Sequence, residues 1–341
     1  MNSKLGARLA LAACAAAMTA GVSLANADGR FDGDGVELPR EVVAAASAFS
    51  AYMDHAAAVS DKLASPAAVG DGLKTGAAYE PVQFEEGMVG YAAMAALQDD
   101  RFVAGVDDAG RRGDRHALVE RLAADPASVL QIDGAREAAS RAQAALRERG
   151  DALFKTGGEV KQAAYDVQKQ GWSTVTVTDA AERLARVKSL SGTAAAPAEG
   201  DDARLFKAVL QVHAPAGGAA AAVSPVVLRA LALAADAVLG AARGEDLSSL
   251  KPLLSEASSA QCLKMSKLNL YQCMAVAGPQ YEDVFCLGQH ALKDTGQCVS
   301  AAAGALVDAK AAEPAPPAPV QVADRRYLVP VARRTVVASG E

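Results

Sequence analysis

Few residues in this chain could do chemistry, and the most telling are four cysteines late in the sequence, Cys262, Cys273, Cys286 and Cys298. Metal-binding cysteines come in C-x2–4-C pairs and thioredoxin-like redox sites in C-x-x-C pairs; neither spacing occurs here. An even number of cysteines in an exported chain reads instead as a disulfide framework. Geometry selects one connectivity of the three. Cys262 and Cys273 lie on a helical stretch, about 16 Å apart at 1.5 Å per residue, whereas a disulfide spans about 7 Å at most between Cα atoms. Gly278-Pro279 breaks that helix midway between Cys273 and Cys286, and midway between Cys262 and Cys298. Two antiparallel helices hinged there bring both pairs level. The expectation is nested bonds, Cys262–Cys298 and Cys273–Cys286, stapling an α-hairpin.

The other reactive side chains form no recognisable constellation. His55, His116, His213 and His290 stand in no metal-ligand spacing, and each reads as a surface or satisfied core residue. No G-x-S-x-G elbow, phosphate-cradling glycine loop or C-x-x-C-H haem site is present. Acid pairs occur at Glu85-Glu86, Asp99-Asp100 and Asp107-Asp108. A pair of carboxylates at suitable separation is the equipment of a glycosidase, so Glu85 and Glu86 are the residues on which a catalytic reading would rest. Asp32, Asp34 and Glu37 hint at a calcium loop, but Arg30 stands where a ligand is needed. No cofactor and no metal site is expected.

Compartment is read at the N-terminus. Lys4 and Arg8 precede an apolar stretch from Leu9 to Leu24, and Ala25-Asn26-Ala27 follows, the three parts of a secretory signal peptide covering 1–27. Leu11-Ala12-Ala13-Cys14 resembles a lipoprotein lipobox, and lipid anchoring through Cys14 is the minor alternative; only five residues separate Arg8 from Cys14, short for such a signal. Removing Lys4 and Arg8 takes the formal charge from −6 to −8, an acidic balance with no electrostatic footprint for nucleic acid. Nothing after the signal is apolar enough for long enough to span a membrane. The expected location is periplasmic or secreted.

The elements that must position these residues are helices. Hydrophobic residues make up 51% of the chain but aromatics only 4%, the balance being largely Ala, the best helix former and a poor strand former. After a flexible Gly-rich start at 28–36, Pro39 opens a helix to about Lys62, a second covers Tyr79–Val103, and a third Asp114–Ala124. Ile132, Ala139, Leu146, Leu153, Val160 and Val167 recur every seven residues, the packing seam of one long helix of coiled-coil type. Gly150, Gly157 and Ala164 run beside it and permit close backbone approach. Trp172–Thr178 alternates as a strand does, but without a partner it reads as an extended connector. Asp179 and Glu182 form a capping box for a helix ending near Leu190.

The composition of 191–202 is that of a linker, separating a helical bundle (37–190) from a smaller helical domain (203–304) that ends in the disulfide hairpin. Helices are expected at Arg204–Val212, at Val226–Ala242 and along Leu247–Ala277 with a kink at Pro252. Beyond lies a Pro-rich tail, 305–341, expected to be disordered. Its basic, β-prone tip, Arg325-Arg326-Tyr327-Leu328-Val329 with Arg333 and Arg334, is a candidate docking segment that adds to a protein partner or packs back on its own body.

The all-α class follows, and with it a non-catalytic envelope protein that works by binding a protein partner. The alternatives are a cell-wall hydrolase or lyase using acidic residues, and a carrier of an apolar ligand in an Ala-lined groove.

Overall fold

A computed structural model describes residues 22–23, 36–213, 222–241 and 250–304. The expected export signal (1–27) apart from Val22–Ser23, the start at 28–36 apart from Val36, and the whole tail (305–341) with its basic tip lie outside the described residues. Val22–Ser23 pairs antiparallel with Glu37–Leu38.

The described chain is all-α, with thirteen α-helices. They are α1 (Arg40–Ala57), α2 (Pro66–Ala77), α3 (Pro81–Ala96), α4 (Asp100–Arg112), α5 (Arg115–Ala124), α6 (Ala135–Asp166) and α7 (Ala180–Ser191). After these come α8 (Asp201–Leu210), α9 (Pro225–Val238), α10 (Lys251–Leu254), α11 (Ala257–Val276), α12 (Gln280–Cys286) and α13 (Asp294–Ala302). A π-helical stretch, Leu287–Lys293, runs between α12 and α13. Local chemistry sets most starts. Pro stands in the first turn of α2, α3 and α9, where its missing N–H had no partner to lose. Ser65, Glu80, Asp99, Asp114, Ser224 and Glu256 each accept hydrogen bonds from the exposed first-turn N–H groups.

Four expectations need correction. Helix α2 was not anticipated, because three glycines interrupt its apolar pattern. Tyr79–Val103 is two helices, since Asp99 caps a new one by accepting from Phe102 N–H at 3.0 Å. Trp172–Thr174 is turn rather than extended chain, and Thr176 forms an isolated bridge with Pro279. Asp179 makes no cap hydrogen bond and lies 3.5 Å from Arg186 instead.

The seven-residue stripe on α6 is buried throughout, from Ile132 at 9% exposure to Leu146, Leu153 and Val160 at 0%. It faces no single partner helix, because α6 packs against α1, α3 and α9 and also against α12, the π-helical stretch and α13. Residues 191–202 run from the end of α7 into the start of α8, and the segments on either side share one core. Helix α1 packs on α8, α3 on α9 and α11, and one apolar cluster runs from Val36 to Ala303. Helix α6 is 32 residues long, and the returning arm of the C-terminal hairpin covers part of its apolar surface. Small residues make the fit. A Cβ built on Gly150 would fall 2.9 Å from the Gly296 carbonyl oxygen, and one on Gly157 2.8 Å from that of Gly288.

Candidate functional site

The hairpin is assembled from the residues named above. Cys262 bonds Cys298 and Cys273 bonds Cys286, each with Cα atoms 5.7 Å apart. Helix α11 therefore has one side tied at two levels to the chain that returns along it. Its inner side, with Leu263, Ser266, Lys267, Leu270 and Met274, is buried.

That inner side carries polar groups the sequence did not announce. Lys267 is 3% exposed; its Nζ donates to the Ala77 carbonyl at 2.9 Å and sits 3.3 Å from the Tyr79 ring centre. Burial drives its pKa well below the lysine range. Ser266 Oγ donates to the His290 carbonyl at 2.8 Å and lies 3.0 Å from Thr295 Oγ1, which is 2.9 Å from Tyr79 Oη. Burial pushes the Tyr79 hydroxyl up to about 12. A lysine with Leu263, Leu270 and Met274 at helical spacing around it was the readable signal: it falls on the apolar face.

The acid pairs are distributed among structural tasks. Glu85 is buried on α3 and reaches the start of α11, accepting from Glu256 N–H at 2.6 Å and Ser255 Oγ at 3.2 Å. Burial raises its pKa, and these two hydrogen bonds pull the other way. Burial likewise raises that of Glu86, its neighbour, which is half-buried. Asp107 pairs with Arg111, and Asp108 with Arg112 at 3.0 Å, one turn along the surface of α4. Of the histidines, His55, His116 and His213 are exposed, and His290 Nδ1 lies 2.8 Å from Asp294 within the hairpin. Among the described residues no three His, Cys, Asp or Glu side chains gather as metal ligands. Nor is any described helix long and apolar enough to cross a membrane.

The hairpin tip is held from outside by the connector after α6. Val177 N–H donates to the Gly278 carbonyl at 2.9 Å, Gln280 N–H to that of Val175 at 3.2 Å, and Tyr281 N–H to that of Ser173 at 3.1 Å. Arg183 on α7 adds a buried clamp, donating to Asp283 Oδ2 at 2.6 Å and to the Ala277 carbonyl at 3.2 Å. Burial raises the Asp283 carboxyl to about 7 against the pull of that guanidinium.

What the hairpin leaves uncovered is an outer face of α11 on which large apolar side chains stand beside the exposed Gln261 and Gln272. Met265 is 40% exposed, Leu268 43% and Val276 83%, at a spacing that keeps them on one side of α11; Val175, 59% exposed, is brought to the same tip by the connector. Four of the six large exposed apolar side chains among the described residues thus belong to one tip and one helix face. The chain matches no family model, no curated protein and no solved structure.

Proposed function

We propose that this is an exported, non-catalytic protein of the cell envelope that binds a protein partner through the outer face of α11. The observation that carries the reading is the concentration of Met265, Leu268, Val276 and Val175 on an element braced by two disulfides and the Arg183 clamp. Apolar side chains scattered singly need no explanation, whereas several gathered on one face and tip of a rigid element are how helix faces engage partners. Bracing favours binding, because a surface held in its bound geometry loses little entropy on association. Export rests on the charged start, apolar middle and Ala25-Asn26-Ala27 of the signal, and it is consistent with the disulfides.

The test is to size the protein in an envelope extract before and after Met265→Ser, Leu268→Ser and Val276→Ser together. A complex that the triple variant dissolves, with an unchanged melting temperature, supports the reading. A chain that migrates alone in both forms sinks it.

A further inference from the structure

A groove on another part of the surface runs between the loop after α1 and the second half of α6. It encloses about 660 Å³. Its floor is buried and apolar, made by Leu63, Gly158, Ala163 and Val167, and its rims carry charge. Asp61 and Lys62 stand on one side, and Lys155, Glu159 and Asp166 on the other, all exposed. Lys155 is 3.9 Å from Glu159 along α6. Acids outnumber cations, and a guest with apolar side chains between positive charges is the complement of this lining.

The chain carries such a segment itself. Arg325-Arg326-Tyr327-Leu328-Val329 is followed eight residues on by Arg333-Arg334-Thr335-Val336-Val337, two units of paired arginine, one further residue and two apolar residues. We infer that this basic tip docks into the groove of its own chain, with arginines against Asp61 and Asp166 and aliphatic side chains over Leu63 and Val167. Reach permits it. Gly304, where the described chain ends, lies against Gln143 on α6, since a Cβ there would be 3.2 Å from Gln143 Nε2. From Gln143 to Gln162 in the groove is about 29 Å along the helix at 1.5 Å per residue. Residues 305–324 span up to about 66 Å when extended, enough to turn back and run the distance. Tethering raises the effective concentration of the tip at the groove, so a modest intrinsic affinity fills it. This docking is independent of the α11 face: either could hold without the other.

The test places a benzophenone photocrosslinker at Leu328 in the full chain, half of it isotopically labelled, and maps the adducts by mass spectrometry. Crosslinks within one chain to 61–64 or 158–170 are expected. Asp61→Lys with Asp166→Lys lowers their yield at least fivefold, and reversing Arg325, Arg326, Arg333 and Arg334 to Glu in that background restores it. Both acids are exposed, so the double variant keeps its fold. Adducts scattered over the surface, adducts joining labelled to unlabelled chains, or a yield indifferent to the charge reversal would each overturn the inference.

Discussion

Gly157 on α6 and Gly288 in the π-helical stretch meet backbone to backbone: a Cβ on Gly157 would stand 2.8 Å from the Gly288 carbonyl oxygen and 2.7 Å from Lys293 Cα. A backbone neighbour cannot rotate away as a side chain can. Gly157→Ala is therefore expected to destabilise the protein by roughly 1–3 kcal/mol through overpacking, even though Ala gains about 1 kcal/mol over Gly in helix propensity. Gly70→Ala, in α2, is the control. Nothing lies within 4 Å of a Cβ there, so the propensity gain stands alone and stability rises by roughly 0.5–1 kcal/mol. Urea denaturation of the two variants checks both signs.

The two disulfides are expected to contribute unequally. Cys262–Cys298 joins residues 36 apart and Cys273–Cys286 residues 13 apart. In the chain-entropy account the longer loop constrains the unfolded state more, giving about 4 kcal/mol against about 3 kcal/mol. Replacing each pair by Ala and measuring unfolding free energy should place the Cys262/Cys298 variant lower. The reverse order would mean that strain or unfolded-state structure governs this hairpin instead.

Much of this architecture was legible where the determinant is local. The cysteine spacing around Gly278-Pro279 implied the nested bonds, and the seven-residue stripe from Ile132 to Val167 implied α6 almost to its ends. Helix α2 escaped because Gly70, Gly72 and Gly76 mask its period, although Ser65-Pro66 was a readable start. What was not legible depends on distance. Glu85 reads in sequence only as half of an acid pair, and the packed structure alone shows that it accepts from Glu256 N–H, 171 residues away. The meeting of Gly157 with Gly288 and of Arg183 with Asp283 likewise belongs to packing between segments far apart in the chain, and no window of sequence contains it. The outer face of α11 was hidden for a related reason: apolar residues surround that helix, and only the packed structure shows which remain outside.

Lys267 gives a prediction at alkaline pH. Its pKa in the folded protein is depressed by burial, so between that value and about 10.4 the unfolded chain binds more protons. Stability therefore rises with pH across that interval. Lys267→Met keeps the volume and removes the titration. The Ala77 carbonyl stays satisfied, because Ser191 Oγ also donates to it at 3.1 Å. The variant should be more stable than the parent at pH 7 and should lose the alkaline rise in melting temperature.

Asp236 on α9 gives the opposite slope. It is 1% exposed, its Oδ1 has no hydrogen-bond partner among the described residues, and burial alone pushes its carboxyl up to about 7. A raised carboxyl pKa means that the folded state holds the proton more tightly than the unfolded one, whose Asp titrates near 3.9. From about pH 4 to about pH 7 the protein should thus lose stability as pH rises, by at most about 1.4 kcal/mol per pH unit for this one proton. Asp283, raised to about 7 as well, adds to the same window. Asp236→Asn removes the Asp236 contribution while keeping shape, so the variant should gain most over the parent at pH 8 and nothing at pH 4. Denaturation at those two pH values decides it: an equal difference at both would show that Asp236 does not titrate in this range, and that a hydrogen bond to the new amide accounts for the gain.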